Sequence, residues 1–111
     1  MSLNGIWKLE MLGPYGWESI STAFLEDGKY RGGSRNHYSL GSYQVSGEQL
    51  EISVHYVTHG EARTMFGKKV DEMDLDFKGE LGDDQIQGHA WEKGSKYSVT
   101  FRAVRLADLP E

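Results

Sequence analysis

The stretch GSYQVSGEQLEISVHY, residues 41 to 56, alternates apolar and polar side chains on both sides of a turn. Alternation with a period of two is typical of β-strands that have one buried face. The glycine in Ser46-Gly47-Glu48 supplies the positive φ that a hairpin connection often requires. We therefore predict two antiparallel strands. Their buried face consists of Tyr43, Val45, Leu50, Ile52, Val54 and Tyr56.

The same period recurs in three later segments, residues 72–81, 85–92 and 97–103, which are separated by turns at residues 82–84 and 93–95. Each segment has one apolar face and one polar face, as a half-buried strand requires. Trp91 has outward parity and is an exception. The predicted inward residues include Met73, Leu75, Phe77, Leu81, Ile86, Ala90, Tyr97, Val99, Phe101 and Ala103.

The first part of the chain also reads as strands. Asp27-Gly28 between residues 19–25 and 29–33 is a strong signal for a two-residue hairpin. Because Phe24 and Leu25 are adjacent, the pattern leaves open which of them faces the core. In the first strand Trp7, Leu9 and Met11 share one face.

Eight short strands with mostly hairpin connections remove their edges best by closing into an up-and-down barrel, and an open sandwich is the competing architecture. We predict one all-β domain over residues 1–111, an antiparallel eight-stranded barrel from about residue 4 to 106, and a short C-terminal tail. The long connection, residues 59–69, is expected to form a longer loop or a short helix. Met65 and Phe66 within it are candidates to close one end of the barrel.

Composition narrows the class of function. A formal net charge of −5 disfavours nucleic acids and anionic membrane surfaces, so basic partners are more plausible. The chain has no cysteine and no apolar run of the length that a membrane helix needs. We expect a cytoplasmic protein.

The sequence holds no catalytic motif, and we predict no metal site. His55 and His59 would lie ~13 Å apart on a strand, too far to share an ion. Glu72, Asp74 and Asp76 lie on the solvent face of one strand. These carboxylates are either ordinary solvated residues or an acidic stripe that attracts a basic protein surface.

Gly5 and Trp7 share a face of the first strand, an arrangement that resembles the Gly-x-Trp signature of lipocalin and wider calycin barrels. In those barrels the tryptophan seals the closed end, and a basic residue of the last strand packs across it. The resemblance implies Arg102 or Arg105 as that residue. On the alternative reading, Trp7 is simply a core residue.

The order of NGIW, LEDGKYRGGS, GSYQVSGEQLEISV, LDFKGELGDDQIQGHA and YSVTFRAV is similar to that of the GrlR-type negative regulators of type III secretion genes. The similarity runs from about Asn4 to Leu106. It implies a small lipocalin-like barrel that forms dimers, without enzymatic activity or a required cofactor. Outward apolar residues such as Leu40 and Trp91 are candidates for the dimer seam.

In the secretion regulator, the barrel binds and silences a transcriptional activator, and an acidic run at an exposed hairpin contributes to the contact. The corresponding turn here, VSGEQLE, contains only two acidic residues. The acidic stripe of Glu72, Asp74 and Asp76 is the candidate to take the place of that run. From the resemblance we predict that the protein binds and inhibits another protein through an acidic exposed patch, and that the barrel interior is filled. The candidate residues are Glu48, Glu51, Glu72, Asp74 and Asp76.

The alternative function is a carrier or sensor of a small apolar ligand, which requires an open barrel mouth and an interior cavity. The inward glycines Gly41, Gly79 and Gly88 would leave space for one. The candidate lining residues are Trp7, Leu9, Tyr43, Ile52, Val54, Tyr56, Leu75, Phe77, Val99 and Phe101.

Overall fold

The computed structural model describes residues 3–60, 63–65 and 68–110, of which 63–65 and 68–70 are described by their backbone. The described residues form ten β-strands and no helix. The strands are β1 (Gly5–Gly13), β2 (Gly16–Glu26), β3 (Lys29–Gly33), β4 (His37–Ser46), β5 (Gln49–Thr58), β6 (Arg63–Met65), β7 (Lys68–Val70), β8 (Glu72–Leu81), β9 (Gln85–Glu92) and β10 (Ser98–Ala107).

Eight strands form a closed barrel in the order β1-β10-β9-β8-β5-β4-β3-β2. All neighbouring pairs are antiparallel, and β1 closes the barrel by pairing with β10. The predicted eight-stranded up-and-down barrel is therefore confirmed, and the open sandwich is not formed. Each barrel strand pairs on both sides over at least part of its length, which removes the long open edges of a flat sheet.

The segment predicted as a loop or short helix contains instead the two-stranded sheet of β6 and β7, which stands apart from the barrel sheet. The predicted plug of Met65 and Phe66 lies outside the described side chains. Within the described residues, no helix is long and apolar enough to cross a membrane.

The hairpin at Asp27-Gly28 forms as predicted. Both residues have positive φ, 51° and 84°, as a type I′ turn requires. The register that this turn sets resolves the ambiguity between Phe24 and Leu25. Leu25 is buried in the core, whereas Phe24 lies on the outer surface.

The interior is built from the residues of inward parity, and Leu50, Ala90 and Phe101 are fully buried. Two predicted inward residues are exposed. Tyr97 precedes the first residue of β10 and is 81% exposed, and Val45 lies beside the turn that ends β4. For these two residues parity fails at strand ends, where the sheet no longer covers them.

Gly41 and Gly88 permit close approach of neighbouring strands and do not leave space, contrary to the expectation. A Cβ atom on Gly41 would lie 1.9 Å from the Ser53 carbonyl oxygen, and one on Gly88 would lie 2.0 Å from that of Lys78. The volume that a side chain would occupy is thus already filled by backbone. Glycine at these positions lets the sheet curl tightly enough to close.

Trp7 is buried and is held by contacts with Leu3 and Arg105. Its indole Nε1 donates a hydrogen bond to the Leu3 carbonyl oxygen at 3.0 Å, and the Arg105 guanidinium lies 4.7 Å from the ring centroid. A Cβ on Gly5 would lie 2.5 Å from Arg105 Nη1. A side chain at Gly5 would therefore obstruct Arg105, which passes over this residue to reach Trp7. Of the two candidates, Arg102 and Arg105, it is Arg105 that packs on Trp7.

Arg102 has a different role on the outer side of the β1–β10 seam. Its Nε donates to Glu10 Oε1 at 2.8 Å, and its guanidinium lies 4.1 Å from the centroid of the Trp17 ring. The hydrogen bond from Arg102 holds the pKa of Glu10 below its ordinary value. This contact joins β1, β2 and β10 on the surface, as Trp7 and Arg105 do inside.

Gly41→Ala is expected to lower the free energy of unfolding by about 1 to 3 kcal/mol, because the added methyl group displaces the β5 backbone. Urea denaturation followed by circular dichroism measures the change. Ser42→Ala, on the exposed face of the same strand, is the matched control and should shift stability by less than about 0.5 kcal/mol. Equal midpoints for the two variants would contradict the close-approach explanation.

Arg105→Ala is expected to cost about 1 to 3 kcal/mol, because the stacking on Trp7 and the 2.9 Å hydrogen bond from Nη1 to the Asn4 carbonyl oxygen are lost. Thermal unfolding monitored by tryptophan fluorescence measures the loss. Arg31→Ala, which removes an exposed arginine 3.9 Å from Glu26, serves as the control. A loss no larger than that of the control would show that the contacts of Arg105 with Trp7 and Asn4 do not stabilise the fold.

Candidate functional site

The ten residues predicted to line a ligand site do converge in the barrel interior. All of them are buried except Tyr43 and Val99, which are partly buried and pack against the core. Their side chains contact one another. The rings of Phe77 and Phe101, for example, meet edge to face with centroids 5.1 Å apart.

A small void lies in this core, beside Leu9, Val54, Tyr56, Leu75 and Phe77. Its volume is ≈10 Å³. That is about the space of one water molecule, whereas an apolar cavity that binds benzene measures about 150 Å³. The size of this void does not favour the carrier function, which stays a prediction.

Polar side chains that the sequence analysis did not select also face the interior. Ser21, Tyr30 and Ser39 are buried. The pKa of the Tyr30 hydroxyl is raised, because the effect of burial exceeds the opposing effect of the hydrogen bonds to the two serines. His37 is buried too, stacked on Tyr56 with centroids 4.5 Å apart and 2.7 Å from Ser34 Oγ through Nδ1. These groups are satisfied within the fold and are consistent with a structural role.

Ser21 faces inward with Ala23 and Leu25, which have the same parity, and Ile20 is buried beside it because the β1–β2 register shifts between Leu9 and Glu10. The shift leaves Ile20 as an extra residue in β2, so that Ile20 and Ser21 are both buried although they are adjacent. A strict period of two cannot anticipate such a bulge. The signal available in the sequence for Ser21 was its parity, which is that of the buried residues Ala23 and Leu25.

The outer face carries four of the five acidic candidates together. Glu51 on β5 and Glu72, Asp74 and Asp76 on β8 are adjacent because β5 and β8 pair, and we call these four residues the acidic row. Their strands are joined by a connection of 13 residues, so the cross-strand neighbours are set by the barrel topology. Glu48 lies apart, in the turn between β4 and β5.

The acidic row is partly paired by its neighbours. His55 lies between two of its carboxylates, with Nδ1 2.8 Å from Asp74 Oδ1 and Nε2 hydrogen-bonded to Glu72 Oε1. These bonds, first to Asp74 and then to Glu72, raise the pKa of His55. Ser53 Oγ donates to Asp76 at 2.9 Å. The net charge of this surface therefore depends on whether His55 is protonated.

Apolar side chains are exposed beside the acidic row. Leu40 on β4 is 54% exposed and lies opposite His55 in the register. Tyr38 on the same strand and Phe24 on β2 are 44% and 43% exposed. We call these three residues the apolar patch, in which Arg31 of β3 lies between Phe24 and Leu40. Leu40 was predicted from the sequence to face outward, whereas the facing of Phe24 depends on the hairpin register.

The described residues contain no group of three or more histidine, aspartate or glutamate side chains that could hold a metal ion. His55, Glu72 and Asp74 form a hydrogen-bonded cluster at the surface, and the chemistry this cluster supports is proton binding by His55.

No protein-family model matches the chain, and no curated protein matches it. The resemblance to the GrlR-type regulators therefore rests on the sequence segments quoted above.

Asp74→Asn is expected to lower the pKa of His55, because it removes the carboxylate with the largest effect on that pKa. The raised pKa means that protonated His55 stabilises the fold fully below the ordinary histidine value of 6.5, and that this contribution is lost as pH rises through the raised value. The stability difference between wild type and Asp74→Asn should thus shrink as pH rises through that window.

NMR titration of the His55 ring measures the pKa, and urea denaturation across the same pH range measures the stability difference. Glu80→Gln is the matched control, since Glu80 lies on the same face of β8 but opposite Gln49. An unchanged His55 titration in Asp74→Asn would show that the hydrogen bond does not persist in solution.

Proposed function

We propose that this protein is a non-enzymatic regulator of the GrlR type, which acts in the cytoplasm by binding and inhibiting a protein such as a transcriptional activator. The observation that carries the proposal is the contrast between the two sides of the barrel wall. The interior void measures only ≈10 Å³, while the outer face presents the acidic row beside the apolar patch. Recognition through the outer surface is the use that this arrangement supports best.

The composition of that face is suited to a protein partner. Specific interfaces combine a buried apolar centre with a polar rim, and aromatic side chains are enriched in them. Here Phe24, Tyr38 and Leu40 supply the apolar part, and the acidic row lies along one side of it. The carboxylates would guide a basic surface into register and disfavour an acidic one.

The mode of binding follows from the closed sheet. At Asp76, β8 pairs with β5 on one side and with β9 on the other, so it cannot accept an additional strand there. We infer that the partner contacts side chains on this outer face. We infer that its contact surface carries lysine or arginine residues next to an apolar side chain.

The homodimer that the resemblance implies is part of the proposal. Sedimentation velocity on the purified protein tests it, and a monomer over the whole accessible concentration range would remove this part while leaving the partner-binding function open.

The combined substitutions Glu72→Lys, Asp74→Lys and Asp76→Lys are expected to abolish binding of the protein partner, because they reverse the charge that faces its basic surface. Affinity capture of tagged protein from its own host, with mass spectrometry of proteins and of extracted small molecules, provides the measurement. A stoichiometric protein retained by wild type and lost from the variant supports the proposal.

The control carries the same change in charge at exposed acidic residues away from the acidic row and the apolar patch, Glu18→Lys, Asp83→Lys and Asp108→Lys. It should keep the partner. Retention of the partner by the acidic-row variant would place the binding surface elsewhere. A stoichiometric lipid or metabolite without any protein partner would instead support the carrier function.

A further inference from the structure

A groove of ≈910 Å³ lies on the outer face of β8, β9 and β10, on the side of the barrel away from the apolar patch. Its volume is within the range of small-molecule sites, about 300 to 1,000 Å³. The backbone of Gly79 and Gly88, which pair in the register, contributes to its lining. The side chains that alternate with these inward-parity glycines, Lys78, Glu80, Gln87 and His89, point outward and form the walls.

Trp91 lines this groove and differs from the other two tryptophans. Arg105 covers the ring of Trp7, and Arg102 covers that of Trp17. Within the part of the chain that the structure describes, no arginine or lysine lies over the ring of Trp91. A partly exposed indole at the edge of a groove offers a flat apolar surface and an N–H donor to a ligand.

The polar walls are rich in amides. Gln49, Gln85 and Gln87 line the groove together with the Thr100 hydroxyl. Each glutamine amide both donates and accepts hydrogen bonds, and the hydroxyl does the same. Such a set is matched by a ligand whose own groups also both donate and accept, which is the property of sugar hydroxyls.

The charges in the groove argue against an anionic ligand. Lys78 lines it, but so do the carboxylates of Glu80 and Asp83, and Lys78 also lies 3.9 Å from Glu51. A phosphate or carboxylate would therefore meet two negative groups for one positive group. An apolar ligand would leave the amides without partners, at a cost in free energy.

We propose that this groove is a saccharide-binding site, in which one sugar ring packs its apolar face on Trp91 while its hydroxyls bond to Gln49, Gln85 and Gln87. A neutral oligosaccharide satisfies the aromatic surface, the amides and the balance of charge together. An extended peptide is the weaker alternative, because β9 lies at the centre of the groove and is paired with β8 and β10, which leaves it no edge for strand addition.

Titration of ¹⁵N-labelled protein tests the proposal, with maltohexaose, cellohexaose, chitohexaose and mannohexaose as probes and a pool of unlabelled hexapeptides as the competing class. We expect at least one saccharide to shift the Trp91 indole signal and the side-chain amide signals of Gln85 and Gln87 in a saturable manner. Trp91→Ala should weaken that binding by about tenfold or more.

Tyr15→Ala is the matched aromatic control, since Tyr15 is 99% exposed in the turn between β1 and β2, outside the groove. It should bind as wild type does. The Trp7 indole signal reports folding of each variant. If Trp91→Ala does not fold, Gln87→Ala on the exposed face of β9 replaces it, with the same expected loss of affinity.

Three results would overturn the proposal. The first is the absence of a saturable response to every saccharide. The second is a response that Trp91→Ala and Gln87→Ala leave unchanged, and the third is a response of the groove to the peptides alone. The double variant Glu72→Lys with Asp74→Lys keeps Asp76, which lies opposite Trp91, and should bind the saccharide normally, so failure of this site and failure of the proposed regulatory function are distinguishable.

Discussion

Pairing of β1 with β10 is the contact on which the rest of the structure depends. It converts a sheet with two open edges into a closed barrel, and it brings the first and last strands of the chain into one seam. Trp7 lies opposite Arg105 in this seam, and Glu10 lies opposite Arg102. The same pairing thus positions Arg105 over the interior ring of Trp7 and places Arg102 in its ion pair with Glu10 on the outer face.

Closure also determines where recognition can occur. An eight-stranded barrel has an interior just wide enough for side chains, and here they fill it down to a void of ≈10 Å³. With the interior filled and the strand edges paired, the outer side chains are what the molecule can offer to another. The acidic row and the apolar patch lie on one part of that surface, and the groove at Trp91 lies on another.

Much of this fold could be predicted from the sequence, because a period of two and hairpin turns are local signals. Asp27-Gly28 and the alternation from Leu50 to Tyr56 specify strands without knowledge of the rest of the chain. The bulge at Ile20 was not predictable in this way, because it is defined by the pairing of β2 with β1 and has no local sign in the sequence of β2. The hairpin of β6 and β7 was also missed, because three-residue strands are too short to show a period.

The candidate site likewise contains some features that local sequence patterns predict and others that depend on strand pairing. Glu72, Asp74 and Asp76 share a face by parity within one strand, so their clustering was predictable. The position of His55 between two of those carboxylates depends on the β5–β8 register, and the groove depends on three strands at once. Arrangements of this kind come from long-range pairing, which no local pattern specifies.

The hydrogen bond between Glu10 and Arg102 spans 92 residues of sequence, and this has a consequence for how the chain folds. Contacts between distant residues form slowly, because a long loop must close before they contribute any stability. During synthesis, β1 cannot meet its final neighbour until β10 has left the ribosome. For most of that time its unpaired edge is open to other chains, so the newly made protein is most prone to aggregate just before the barrel closes.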